Sequence, residues 1–251
     1  MAPAAILRVA RWAVARSRTQ READERARRK LHQICGAFQS LSARAALRKW
    51  LERLPGQASD ISILRMLFAE MLQLHLSTRE RFDSLERFYQ VIFYACGTPR
   101  SIIDLGCGLN PFTLPWMPEP IFRSVHYLGS DIDGELLEVV AAAGVRLGCS
   151  WQVRCTDLLE AGDGGECFDL AFLFKLLPTL EQEDLDAPAE ILRRLPARRA
   201  VVSFPVRSLC GRSCGMRENY AEKMQQWSRQ AGGECRRLAF EQELLFLFEK
   251  G

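Results

Sequence analysis

Ser101-Ile102-Ile103-Asp104-Leu105-Gly106-Cys107-Gly108-Leu109-Asn110-Pro111 is the stretch whose reading decides the fold. The apolar run from Ile102 to Leu105 has the continuous hydrophobicity of a strand buried in a parallel sheet. Gly106 and Gly108 then let the backbone turn and pass close to a ligand. An acid near the end of such a strand, with glycines after it, suits a nucleoside cofactor at the carboxyl edge of an α/β sheet. The turn is not the dinucleotide fingerprint, which needs a third glycine where Asn110-Pro111 stands. An ordinary strand-to-helix turn has the same look, so the rest of the chain must supply the other parts of a site.

Downstream the chain alternates between strand and helix patterns. Strands are predicted over residues 124–130, 150–155, 168–174 and 200–204, and helices over 134–143, 180–195 and 216–230. Two final strands are predicted over 235–240 and 243–248, so the alternation finishes in a hairpin. This pattern fits a mainly parallel sheet covered on both faces, with an antiparallel edge. Upstream, residues 4–30 are rich in Ala and Arg and read as helical. Further helices are predicted from Ser42 to Leu54 and from Asp60 to His75. Together these helices make a small N-terminal helical domain, residues 1–75, before a sheet domain of residues 76–251. Ser77 or Thr78 is placed to cap the next helix, whose buried stripe is Leu85, Phe88, Val91 and Ile92.

The totals agree with a globular chain. Of 251 residues, 48% are hydrophobic and 26% charged. The net charge of +3 hides an uneven distribution. Up to Arg53 there are 13 Lys/Arg against four Asp/Glu, and the remainder holds 21 against 27. A basic arm on a mildly acidic body suggests a polyanionic partner, nucleic acid being the commonest, although a solvated basic helix would look similar. The nine cysteines form no C-x-x-C pair and the three histidines are far apart, so no metal site is expected. Reduced thiols, no membrane-length apolar run and no signal-peptide core all point to the cytoplasm.

Three acids fall at the carboxyl ends of three successive strands: Asp104, Asp131 and Asp157. Asp-x-Gly-x-Gly resembles motif I of the Rossmann-like methyltransferases that use S-adenosylmethionine. That cofactor offers a methionine ammonium for the motif I turn, ribose hydroxyls for Asp131, and an adenine amino group for Asp157 with the Leu158 amide beside it. Any one acid could instead be a turn or cap residue. Arg79 or Arg81 could hold a ligand carboxylate with its fork of N–H groups. Lys175 follows an apolar run at the same edge, with Glu181 its obvious partner. The basic loop Ser203–Tyr220 leaves another strand end, where Arg207 and Arg212 could hold phosphates.

Five segments carry a closer resemblance: LHQICGAF (Leu31–Phe38), HLSTRERFDSL (His75–Leu85), IDLGCGLNP (Ile103–Pro111), FKLLPTL (Phe174–Leu180) and VSFPVRSLCGRSCGMRENY (Val202–Tyr220). Together they resemble the aminoglycoside-resistance 16S rRNA (guanine(1405)-N7)-methyltransferases from about Leu31 onward. The resemblance implies a Rossmann-like class I sheet with an antiparallel edge strand, plus the small N-terminal helical domain docking on the 30S subunit. It implies S-adenosylmethionine held by Thr78, Arg81, Asp104, Gly106, Gly108, Asn110, Asp131, Ile132, Asp157, Leu158 and Phe174. It places Lys175, Glu181, Arg207 and Met216 around the target guanine of 16S rRNA. The expected enzyme acts as a monomer on the assembled 30S subunit, without metal or membrane. Cys210, Cys214 and Arg217 depart from the residues usual in the family, and the first 30 residues are not family-like in detail. Two competing expectations are a methyltransferase of another class, acting on a small molecule or protein, and an RNA-binding or ribosome-assembly protein with a non-catalytic cofactor site.

Overall fold

A computed structural model of the chain describes residues 1–36, 41–58, 60–160, 165–205 and 216–251. Seven strands form one sheet in the order β3-β2-β1-β4-β5-β7-β6. They are β1 (Ser101–Leu105), β2 (His126–Asp131), β3 (Gln152–Cys155), β4 (Leu170–Phe174), β5 (Arg199–Pro205), β6 (Gly233–Leu238) and β7 (Glu243–Lys250). The first five pair in parallel, and β7 runs antiparallel between β5 and β6. The hairpin expected at the C-terminal side therefore builds that edge of the sheet. Strand order reverses on either side of β1, between β2 and β4. Such a switch point opens a crevice at the carboxyl ends of the strands.

The helices are α1 (Pro3–Val14), α2 (Gln20–Gly36), α3 (Leu41–Arg53), α4 (Ile61–Leu72), α5 (Leu76–Arg81), α6 (Leu85–Cys96), α7 (Glu119–Ser124), α8 (Gly134–Leu147), α9 (Leu177–Glu181), α10 (Ala187–Arg194) and α11 (Met216–Gln230). One sheet face packs in a cluster containing Leu47, Trp50, Phe68, Phe88, Phe112, Tyr127 and Trp151. The side chains of α3 and α4 are thus built into the same apolar mass as the sheet. The other face holds Leu173, Leu192, Val202, Met224 and Trp227 beneath α10 and α11. Among the described residues no helix is long and apolar enough to cross a membrane.

Several local expectations change. The helical segment 4–30 breaks at residues 15–19, where Thr19 Oγ1 accepts the Glu22 N–H at 3.2 Å and starts α2. Thr78 caps nothing: its hydroxyl donates back to the carbonyls of Leu72 (2.7 Å) and His75 (3.0 Å), and His75 stands at the start of α5. Val91 is only half-buried, while Tyr89 and Phe93 join Leu85, Phe88 and Ile92 inside α6. The helix expected over 180–195 splits into α9 and α10, because Pro188 is tolerated in the first turn of a helix and not in its middle.

Candidate functional site

The glycine turn after β1 is shaped by its neighbours. The N–H groups of Gly106 and Cys107 both donate to the Ser130 carbonyl, at 2.7 and 3.0 Å, which folds the turn back against β2. Gly106 has φ +70° and Gly108 φ +50°. A side chain at Gly106 would meet Leu176 Cδ1 at 2.9 Å, and one at Gly108 would press on the His75 ring at 3.3 Å. Glycine is required here by conformation and by space together.

Above the turn lies a cavity of about 1150 Å³, counting its open mouth. The structure brings Thr78, Arg81, Asp104, Gly106, Gly108, Asn110, Asp131, Ile132, Asp157, Leu158, Phe174 and Lys175 to its wall. The three strand-end acids converge from β1, from β2 and from just past β3. Asp104 is 1% exposed. Asn110 Nδ2 and the Tyr127 hydroxyl both donate to one of its oxygens, Oδ2. Burial pushes the Asp104 carboxyl up to about 7, against the pull of those two donors. Asp131 is half-buried, and desolvation raises its carboxyl too, although it accepts the N–H groups of Asp133 and Gly108, each at 2.9 Å. His75 lies on the same wall. Burial, and then the charges of Lys175 and Arg81, push its imidazole down to about 4, so it is neutral at physiological pH.

Of the two candidate arginines, Arg79 is exposed and Arg81 is 1% exposed at the cavity. Arg81 is sandwiched over the rings of Phe88 and Phe174, at 4.3 and 4.7 Å. Its Nε and one terminal nitrogen grip Glu243 at 2.9 Å each, and Nη1 reaches Asn110 Oδ1 at 3.5 Å. Burial alone would raise the Glu243 carboxyl, but the cations Arg81 and Lys175 outweigh it and hold the group below its ordinary value.

Lys175 sits where β4 leaves the sheet, in the left-handed region at φ +56°. That conformation is uncommon for a residue with a side chain and turns Lys175 inward at the edge. Its ammonium bonds Glu80 at 2.5 Å and lies 3.3 Å from Glu243. Glu181 is not its partner. That carboxylate is taken by Lys223 of α11, at 2.7 Å from each oxygen. Six residues of sequence separation suggested the pair, but the turn into α9 points the two side chains to different neighbours. Arg207, Arg212, Cys210 and Cys214 lie outside the described residues. Met216 opens α11, and Arg217 follows it in the same helix.

Four participants escaped the sequence reading. His75 lines the cavity and Tyr127 holds Asp104. Glu243 is the one acid heading the apolar β7, a pattern that could have flagged it. Arg8 lies furthest from the motif in sequence, yet its Nε donates to Asp157 Oδ2 at 2.8 Å and Nη1 reaches Glu183 at 3.4 Å. Among the described residues, no cluster of His, Cys, Asp or Glu could hold a metal ion.

Comparison with known proteins adds names to this geometry. A 16S rRNA (guanine(1405)-N(7))-methyltransferase of Micromonospora rosea is 36% identical over 253 residues, covering 100% of this chain and 91% of the relative. One of the same name from Serratia marcescens is 38% identical over 209 residues, covering 82% and 74%. The crystal structure of the 16S rRNA methyltransferase RmtF, in complex with S-adenosyl-L-homocysteine, superposes with a TM-score of 0.80. It is 33% identical, and the match covers 100% of this chain and 92% of that one. Residues 1–247 match the family described as ribosomal RNA methyltransferase (FmrO). With the sheet order, the glycine turn and the relatives in agreement, this chain belongs to the ribosomal RNA methyltransferase (FmrO) family.

Proposed function

We propose that this protein transfers a methyl group from S-adenosylmethionine to N7 of the decoding-site guanine 1405 of 16S rRNA. The observation that carries the reading is the cavity at the switch point, where Asp104, Asp131 and Asp157 converge with Lys175 on the same wall. The residues fit the cofactor. Asp104 turns one oxygen to its two donors, which leaves the other for an ammonium. Asp131 serves the ribose hydroxyls, Asp157 and Leu158 the adenine, and Ile132 and Phe174 the apolar surfaces between them. Thr78 and Arg81 support the methionine end, Gly106 and Gly108 admit it closely, and Asn110 orients Asp104. When bound, S-adenosylmethionine supplies an electrophilic methyl on a sulfonium.

Guanine N7 carries a lone pair and no proton, so the protein needs no general base. What its residues must do is position the base and exclude water. N7 of a base in a folded rRNA helix comes into line only if the base is turned out of its stack, at a cost of a few kcal/mol. Lys175 and Glu181, with Arg207 and Met216 from the segment that follows β5, form the surroundings of the displaced guanine. Residues 1–75, the basic helical part, dock a monomer of the enzyme on the assembled 30S subunit in the cytoplasm. The product guanine bears a fixed positive charge and has lost an acceptor. Both changes oppose cationic 4,6-linked aminoglycosides such as gentamicin and kanamycin, so resistance follows.

The test is transfer of labelled methyl to purified 30S subunits and to free 16S rRNA, with the modified base mapped. Label at N7 of guanine 1405 on 30S subunits is expected. Label on another base, or cofactor binding without transfer, would overturn the assignment.

A further inference from the structure

The first helix of the chain reaches the cofactor cavity. Its inward face is made of small residues, with Ala5, Val9 and Ala13 buried, so α1 lies close against what is beneath it. Three tethers hold this region to the sheet edge. The Ala2 N–H donates to the Ile132 carbonyl at 2.8 Å. Arg8 bonds Asp157 and Glu183, and Lys30 of α2 bonds Glu183 at 2.5 Å. All three end on residues of the cavity wall: Ile132, Asp157 and Glu183.

The Arg8–Asp157 contact is no ordinary surface ion pair. The Asp157 side chain is 2% exposed and that of Arg8 20%. Asp157 Oδ1 also accepts the Leu159 N–H at 3.1 Å, so the carboxylate is fixed from two sides. Arg8 is fixed likewise, its Nε and Nη2 on Asp157 and its Nη1 on Glu183. A guanidinium held by two carboxylates keeps its plane and loses little freedom on meeting a ligand. The same cavity is lined by the apolar side chains of Ile34 of α2, Ile132, Leu136 and Leu158. A flat heterocycle is the shape and chemistry such a slot accepts: apolar faces, with N–H donors and a carboxylate at the rim.

We propose that Arg8 is a cofactor-site residue and that α1 forms the outer wall of the adenine slot. Cofactor binding and the seating of α1 then stabilise each other by the same factor, since coupling between two equilibria is reciprocal. The inference rests on S-adenosylmethionine as the ligand of the cavity, and its test separates the two ideas. Binding of S-adenosylhomocysteine and of 5′-methylthioadenosine, which keeps the adenosine and lacks the amino acid, is measured by calorimetry on the full chain. Arg8→Ala should weaken both ligands by the same factor, about tenfold, as expected for loss of a charge-assisted contact. Arg8→Lys, which keeps the charge without the fork, should fall between. Hydrogen exchange supplies the second readout. S-adenosylhomocysteine should slow exchange across Pro3–Val14 in the unmodified protein and have no such effect in Arg8→Ala.

Affinities within about twofold of the unmodified protein would overturn the role of Arg8. So would a loss confined to S-adenosylhomocysteine, which would put Arg8 at the amino-acid end, or exchange of α1 indifferent to ligand. If the unmodified chain binds neither ligand, the cofactor reading itself falls, and this one with it.

Discussion

The buried Asp104 gives cofactor affinity a pH dependence that can be worked out beforehand. Its carboxyl is pushed up to about 7 because burial disfavours the charge. An ammonium is bound well only by the ionised form. Affinity therefore approaches its full value well above pH 7 and is lost as pH falls through 7, tenfold for each unit once the group is mostly protonated. Between about pH 7.5 and about pH 5.5 the ionised fraction drops from about three-quarters to about 3%, a loss of about 25-fold, or ~1.9 kcal/mol. Calorimetric titration with S-adenosylhomocysteine across this range reads the loss directly. Asp131 is raised as well and is the residue proposed for the ribose. Titration with 5′-methylthioadenosine shares any loss from Asp131 and from the fold, so the ratio of the two affinities isolates Asp104. Tyr127→Phe removes a donor that favours the charged form, so the midpoint should move upward, by about one unit. A ratio that stays flat over the interval would refute the placement of the ammonium on Asp104.

Other perturbations read the remaining parts of the site and the core. Lys175→Ala should lower methyl transfer to 30S subunits by about 100-fold while S-adenosylhomocysteine affinity changes less than about threefold; equal losses in both would remove Lys175 from the target-base side. Asp131→Ala should reduce S-adenosylmethionine binding by at least about 100-fold in calorimetry, and unchanged affinity would sink its role at the ribose. Phe68 is fully buried and stacks on Phe112 at 4.9 Å, beside Trp50 and Trp151. Phe68→Ala should cost about 3–5 kcal/mol in urea unfolding, and a cost under about 1 kcal/mol would show that α4 is not part of the shared core.

The features legible in the sequence are those written in local chemistry. The β1 turn, with its acid and two glycines, announces both a strand end and a close approach, and the acids after β2 and β3 repeat the signal at the strand period. Helix α11 and the last two strands were equally plain, since long periodic segments carry their own pattern. Contacts that depend on which strand lies beside which were not legible. Glu243 meets Arg81 and Lys175 only because β7 inserts next to β5, and Glu181 lost Lys175 to partners that no spacing rule could supply. Arg8 was hidden for the same reason: 149 residues separate it from Asp157. Thr78 was misread because a hydroxyl that can cap a coming helix can equally bond the preceding turn.

The place of Glu243 in the chain has a consequence for the birth of the enzyme. It bonds Arg81 across 162 residues, from a strand that is synthesised after every other strand of the sheet and threads between two already made. At about 5–20 residues per second, Arg81 waits about 8–30 s for the carboxylate that neutralises it. Until then a guanidinium meant for the interior has only phenyl rings and an amide for company, and it resists leaving water. The Arg81 side of the cavity is thus completed only once β7 has been added. A nascent copy still tethered to its own ribosome, short of β7, holds the glycine turn and the acids but not the finished pocket. Chemistry on ribosomal RNA begins only once β7 has been made and seated between β5 and β6.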